Sequence, residues 1–288
     1  MRLEVTEKLP FPEHLDIEVT NRCTLACVIC PRRLMKREVG DMPLELARKI
    51  LTEATGKAKT CYLHLFGDPL MHPQIEELVG MAKNAGLWVS TSTNAVFLNR
   101  DRMKKLYEAG IDELVVSLDA MTEETYDKIR VGGRFPLVMN NVLAAANYLS
   151  EQEPREVLNV QLVHTLDNDA EIEEFSRFWG EHVVGPGVGK VTIKPMVTWS
   201  RTIASRRPKE PEEEFACTMG NYSMSIYWNG DVVKCCHDFD GFTRIGSVLE
   251  SSIQEVWDLP AYDEFRLAHS EKNLDRLGFC RGCYEEHK

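Results

Sequence analysis

The sequence predicts an α/β protein whose first two-thirds form an open, six-stranded partial barrel of parallel strands. Strand-like and helix-like stretches alternate from residue 15 to about residue 197. Alternation of this kind implies parallel strands joined by right-handed helical crossovers. That stretch is shorter than the roughly 250 residues of a closed eight-unit barrel, so a partial barrel fits. A cysteine-dense loop leaves the first strand, at the C-terminal strand ends where ligands of such folds gather.

The elements follow in order. Residues 1–14 are a polar, proline-containing extension. Strands are expected at 15–19, 60–66, 87–93, 113–118, 157–163 and 190–197. Helices are expected at 43–55, 73–85, 100–109, 123–130, 137–150 and 169–181. The barrel thus spans 15–197. Residues 198–216 read as a linker, because they carry a solvated charge run from Arg206 to Glu214. A second unit, 217–288, opens with strands at 222–228 and 231–236 around the hairpin signal Asn229-Gly230. Helices follow at 252–258, stopped by Pro260, and at 262–269.

Totals exclude several classes. A chain of 288 residues buries about 75% of its unfolded surface, so it needs no disulfide framework. Nine cysteines and no signal-like N-terminus point to a reducing, cytoplasmic setting and to metal ligation. No apolar run approaches ~20 residues, so no membrane span is expected. The net charge of -11 disfavours nucleic acid and anionic lipid as partners.

Cys23, Cys27 and Cys30 leave the first strand with gaps of three and two residues. Three thiolates this close suit one soft ion or cluster. A structural zinc site or a four-cysteine iron–sulfur cluster wants a fourth protein ligand, and none lies nearby. On a four-iron cubane, three ligands leave one iron open to a substrate or cofactor; a zinc site borrowing a distant ligand is the alternative. Cys61 reads as a buried apolar side chain, and His64, His72 and His164 as structural. Near the C-terminus Cys217, Cys235, Cys280 and Cys283 supply four soft ligands, two with the hairpin and two from a tight Cys-x-x-Cys turn. That number closes a cubane or makes a Cys-four zinc site.

Cys23-x-x-x-Cys27-x-x-Cys30 after a first strand resembles the radical S-adenosylmethionine (SAM) superfamily, with Ile29 where the family usually carries an aromatic residue. The resemblance implies a [4Fe–4S] cluster whose open iron binds SAM and cleaves it to a 5′-deoxyadenosyl radical. Gly67-Asp68-Pro69 is similar to the family's Gly-Glu-Pro turn, which receives the SAM ammonium. Asp68 can equally serve the following helix N-terminus. Asn94 resembles the family's Thr-Asn-Gly asparagine, with Ala95 in place of the glycine. Ser117 and Arg130 match the pair that binds the SAM carboxylate, a geometry that suits an arginine fork. Arg130 as a helix C-terminal charge is the alternative.

Cys217-x12-Gly230-x4-Cys235, then Gly246-Ser247-Val248, Trp257, Arg266 and Cys280-x-x-Cys283, resembles the SPASM/twitch extension, implying an auxiliary [4Fe–4S] cluster. Ending at Lys288, the sequence matches the one-cluster twitch form, with Cys236 as a possible stand-in for Cys235. The implied reaction is dehydrogenation of a small polyol or aminocyclitol, as in the similarly laid-out radical SAM aminocyclitol dehydrogenase of butirosin biosynthesis. The alternatives are maturation of a ribosomal peptide, whose enzymes often carry a leader-binding domain not seen here, and epimerisation through Cys236. A two-cluster electron carrier or zinc-binding module is the non-enzymatic alternative. A one-electron reductant of the flavodoxin or ferredoxin type is an expected partner. No catalytic base is readable, and Trp199 and Arg201 are pocket candidates.

Overall fold

The computed structural model describes residues 7–153, 155–206, 217–273, 276 and 278–286. The charge run of the expected linker, from Arg207 onward, lies outside them. Nine strands form one sheet: β1 (His14–Ile17), β2 (Thr60–Tyr62), β3 (Trp88–Thr93), β4 (Glu113–Ser117), β5 (Leu158–His164), β6 (Gly189–Pro195), β7 (Ser223–Ile226), β8 (Asp231–Val233) and β9 (Arg244–Ser247). Their order is β6-β5-β4-β3-β2-β1-β7-β8-β9. Pairs from β6 through β1 to β7 are parallel, and β8 and β9 add antiparallel. All six expected barrel strands are present.

Helices α1 (Leu44–Ala54), α2 (Ile75–Asn84), α3 (Arg100–Glu108), α4 (Glu123–Ile129), α5 (Phe135–Ser150) and α6 (Ile172–Trp179) cover one face of the sheet. Each turns a periodic apolar stripe inward, as in α1 with Leu46, Ala47, Ile50, Leu51 and Ala54. On β1, Leu15 and Ile17 enter that core while Asp16 points to the opposite, inner face, where it accepts a hydrogen bond from Ser225 at 3.1 Å. Cys61 pairs in register with Leu15 and is fully buried in the apolar core, as expected.

The second unit differs from expectation in three ways. Its hairpin is continuous with the barrel sheet, because β7 pairs in parallel with β1. A ninth strand, β9, was not anticipated. Cys280 and Cys283 lie on a helix, α10 (Gly278–Glu286), rather than on a tight turn. Gly282 serves close packing there: a Cβ would collide with the Ser200 carbonyl oxygen. Before β7 lies a short helix, α7 (Met219–Tyr222), and after β9 come α8 (Ile253–Trp257) and α9 (Pro260–Ser270). A Ser252/Glu255 capping box starts α8, and the Trp257 indole donates to Leu9 O at 2.8 Å, anchoring the N-terminal extension.

The turn after β2 is locked against the loop after β1. Gly67 has φ +91°, and a Cβ there would lie 2.6 Å from Thr20 O and 2.7 Å from the Asn21 backbone. Gly56 has φ +72° with nothing within 4 Å. Gly67→Ala therefore adds a collision to left-handed strain of about 1–3 kcal/mol, whereas Gly56→Ala adds the strain alone. Thermal unfolding should show the larger loss for Gly67→Ala, accompanied by reduced iron retention that Gly56→Ala does not share.

Candidate active site

The loop after β1 is fastened from several sides. Asn21 donates to Glu38 O at 2.8 Å and accepts from Gly40 N at 2.9 Å. Ala26 N and Val28 N donate to Val131 O and Ile129 O at 2.9 and 3.0 Å. These last two bonds bracket Arg130, at the C-terminal end of α4. Cys23, Cys27 and Cys30 all line one cavity of about 330 Å³ at the C-terminal ends of the barrel strands. Donors surround the sulfurs: Leu25 N lies 3.4 Å and Asn94 Nδ2 3.5 Å from Cys23 Sγ, and an Arg130 NH is 3.6 Å from Cys27 Sγ. Burial pushes the Cys23 thiol up and the Cys30 thiol to about 11. Soft sulfurs short of counter-charge and ringed by donors fit an iron–sulfur cluster, whose positive irons displace the protons.

The other expected residues separate into two groups. Gly67, Asn94, Ser117 and Arg130 line the cavity beside the cysteines. Asp68 and Pro69 do not. Pro69 begins a short 3₁₀ turn, Pro69–Met71. The Asp68 carboxylate is 1% exposed and accepts from Leu70 N (2.9 Å), Thr93 Oγ1 (2.9 Å) and Asn94 N (3.0 Å). It therefore caps its own turn and braces the end of β3, the alternative role given to it from sequence. Arg130 is buried, donates through Nε to Asp119 Oδ2 at 2.7 Å, and pairs with the same carboxylate through NH2. Burial disfavours its charge, but Asp119 and Cys27 more than offset that, so the guanidinium stays protonated. Asp119, at φ +67°, also accepts Val163 N at 2.7 Å, which fixes the pair to β5. Ser117 Oγ lies 3.4 Å from Ser92 Oγ and 3.5 Å from Gln161 Nε2.

Sequence reasoning missed His64, Gln161, Lys194 and His237, which line the same cavity. A signal existed: parallel strands are ordinarily apolar on both faces, yet β5 and β6 alternate polar residues. Burial holds His64 at about 4, a neutral imidazole, and its Nδ1 is buried without a partner. Trp199 does reach the cavity; its indole donates to Ile29 O at 2.9 Å and its ring lies 5.5 Å from Phe66 and 5.2 Å from His237. Arg201 is not among the described lining residues. His72 and His164 are structural, bonded to Met42 O and to Asp169.

The second cysteine set also converges. Burial pushes the Cys280 thiol up, and Cys235, Cys217 and Cys283 are close enough to reinforce the shift. A hydrogen bond from Cys236 lowers Cys235 and raises Cys236 itself. His237 connects both regions: its ring lines the cavity while Nδ1 lies 3.9 Å from Cys283 Sγ.

Residues 17–178 match the family model of the radical SAM superfamily, and residues 217–284 match that of an iron–sulfur cluster-binding domain, SPASM. The chain is 24% identical over 303 residues to a Pyrococcus furiosus tungsten-containing aldehyde ferredoxin oxidoreductase cofactor-modifying protein, covering 88% of this chain and 83% of that one. It is 30% identical over 172 residues to a GTP 3′,8-cyclase of Chlorobaculum tepidum, covering 59% of this chain and 51% of the cyclase. It matches a Mycobacterium ulcerans mycofactocin maturase at 28% identity over 58% of this chain and 44% of the maturase. The chain thus spans about half the length of the last two. Among solved structures, BtrN in complex with AdoMet and 2-DOIA superposes with a TM-score of 0.61 at 18% identity, covering 91% and 88% of the two chains. Streptococcus suis SuiB bound to precursor peptide SuiA does so at 0.69 and 17%, covering 90% and 67%. At these identities the likeness is one of fold.

The neutral His64 has a consequence for acid stability. Between pH 6.5 and about 4 the unfolded chain takes up a proton that the folded imidazole refuses, so acidification withdraws up to about 3 kcal/mol from this group. Urea midpoints of the apoprotein should therefore fall less steeply over that window in His64→Gln than in the parent.

Proposed function

This chain belongs to the radical SAM superfamily, and on that premise we propose that it oxidises a carbon–oxygen bond of a small polyol or aminocyclitol. Its cofactors are a [4Fe–4S] cluster with SAM and, in the C-terminal domain, auxiliary iron–sulfur. When bound, these supply the electron that cleaves SAM to a hydrogen-abstracting 5′-deoxyadenosyl radical and an acceptor for the electron the substrate later gives up.

In this reading Cys23, Cys27 and Cys30 hold the open cluster, and Cys217, Cys235, Cys280 and Cys283 the auxiliary one. The backbone around Gly67 would receive the SAM ammonium, and Ser117 and Arg130 would hold its carboxylate, with Asn94 beside Cys23. Asp119 orients Arg130 so that its fork stays fixed. Trp199, bonded to Ile29 O, helps keep water from the reacting centre. With that radical supplied, a substrate carbinol carbon would give up its hydrogen atom, and loss of the hydroxyl proton and one electron would leave a carbonyl.

One observation supports oxidation above the rest. The cavity that the first cysteine set lines is also lined by His237, which lies 3.9 Å from Cys283 of the second set. A substrate radical formed there has an electron acceptor beside it. The second reading, peptide maturation, rests on the superposition with SuiB bound to its precursor peptide. An electron donor of the flavodoxin or ferredoxin type remains the proposed partner. Among the described residues no helix is long and apolar enough to cross a membrane.

Anaerobically reconstituted, reduced protein should release 5′-deoxyadenosine from SAM, and Cys30→Ala should release none. Arg130→Lys should keep its iron yet raise half-saturating SAM roughly tenfold or more, since a lysine cannot serve Asp119, Cys27 and a carboxylate together. Cys280→Ala should still cleave SAM while losing ketone formation. Ketone formation unimpaired in Cys280→Ala would overturn the proposed acceptor role.

A further inference from the structure

Strand β6 turns two lysines to the inner face of the barrel, two pairs apart. Lys190 is neutralised by Glu113 at 2.7 Å, a carboxylate that also accepts from Ser90 and Asn159. Lys194, opposite Val163 in register, lines the cavity and has no hydrogen bond or ion pair among the described residues. Neighbouring atoms push its ammonium below the ordinary lysine range, although the residue as a whole is exposed to the open cavity. The charged groups near it are Asp119, already committed to Arg130, Arg130 itself, and the thiol of Cys236.

The cavity is also unbalanced as a whole. Among the described residues that line it stand Arg32, Arg33, Arg130 and Lys194, and not one Asp or Glu, in a chain whose net charge is -11. Arg32 is occupied by Asn21 O at 2.7 Å, and Arg130 by Asp119 and Cys27. Arg33 is exposed and Arg130 is assigned to the SAM carboxylate, so Lys194 is the lining cation that a barrel strand presents to a further ligand. Among the described residues it forms no hydrogen bond to a cluster cysteine, whereas Arg130 does, which separates it from the SAM carboxylate. A cation on a cavity wall that offers it no carboxylate has its charge available for a bound anion.

We propose that Lys194 is an anion subsite for the substrate, which therefore carries a carboxylate or phosphate beside the hydroxyl-bearing carbon that reacts. Gln161, on the adjacent strand and facing the same cavity, offers its amide to neighbouring hydroxyls. An aminocyclitol ammonium would meet no carboxylate on the described wall, so the class narrows to sugar acids and phosphorylated polyols. The proposal rests on the oxidation reading for the reaction, but recognition itself needs only binding.

The test is equilibrium binding, by saturation-transfer NMR, to the reconstituted, SAM-loaded enzyme. Four six-carbon probes of similar size are compared: gluconate, glucitol 6-phosphate, glucitol and 1-amino-1-deoxyglucitol. At least one anionic probe should bind tenfold or more tighter than glucitol and the amine, and the better of the two identifies the anion. Lys194→Gln should bring that probe to the level of glucitol, Lys194→Arg should restore part of the preference, and SAM affinity should not change in either. No anionic preference, whether from equal binding or from none, overturns the proposal. So does a preference that survives Lys194→Gln, or a loss of SAM affinity in that variant. Selective binding without any carbonyl product would sink the oxidation reading and leave the subsite standing.

Discussion

The position of β1 constrains everything else. It pairs in parallel with β2 on one side and with β7 on the other, so its C-terminal end meets both halves of the chain. The cysteine loop that leaves it is clamped by the backbone of Gly67 after β2 and by the α4 end that carries Arg130. From the β7 side, Arg37 ties the loop region to the hairpin: it pairs with the fully buried Glu18 and lies 3.8 Å over the Tyr227 ring. Moving β1 would therefore disturb both cysteine sets together. A parallel pair with each half is what lets a single cavity see both.

Two carboxylates show how this fold divides labour. Asp68 and Asp119 are both buried, and neither lines the cavity. Asp68 spends its oxygens on backbone N–H groups and Thr93, which sets Asn94 against Cys23. Asp119 spends its own on Val163 N and Arg130, which sets the guanidinium against Cys27. The acids hold donors in place from behind, while the cavity itself keeps cations and neutral groups. That arrangement suits anionic occupants, a thiolate-bound cluster among them.

Much of this was legible in the sequence, for identifiable reasons. The six barrel strands and the helices between them were readable because core-facing helices carry long apolar periods, and the cysteine spacings because soft-ligand geometry demands them. The parallel β1–β7 pair was not, since Ser223–Ile226 carries no mark of its distant partner. The Cys-x-x-Cys spacing misled because turns and helices share it, and here Gly282 admits the Ser200 backbone to a helix. His64, Lys194 and His237 were missed because a lone cation or imidazole has no motif. Their meaning comes from the inner face they share with Gln161, and only the register reveals that.

The central claim is that the three thiols after β1 hold a cluster with an iron open to SAM, separate from a closed set on the C-terminal unit. Its most direct measurement is electron paramagnetic resonance of the dithionite-reduced protein, with and without SAM, in the parent and in Cys280→Ala/Cys283→Ala. The parent should hold about eight irons in two cubanes and show one signal that shifts on adding SAM. The double variant should keep about four irons and that same SAM-sensitive signal. A signal indifferent to SAM, or zinc in place of iron at Cys23, Cys27 and Cys30, would contradict the account.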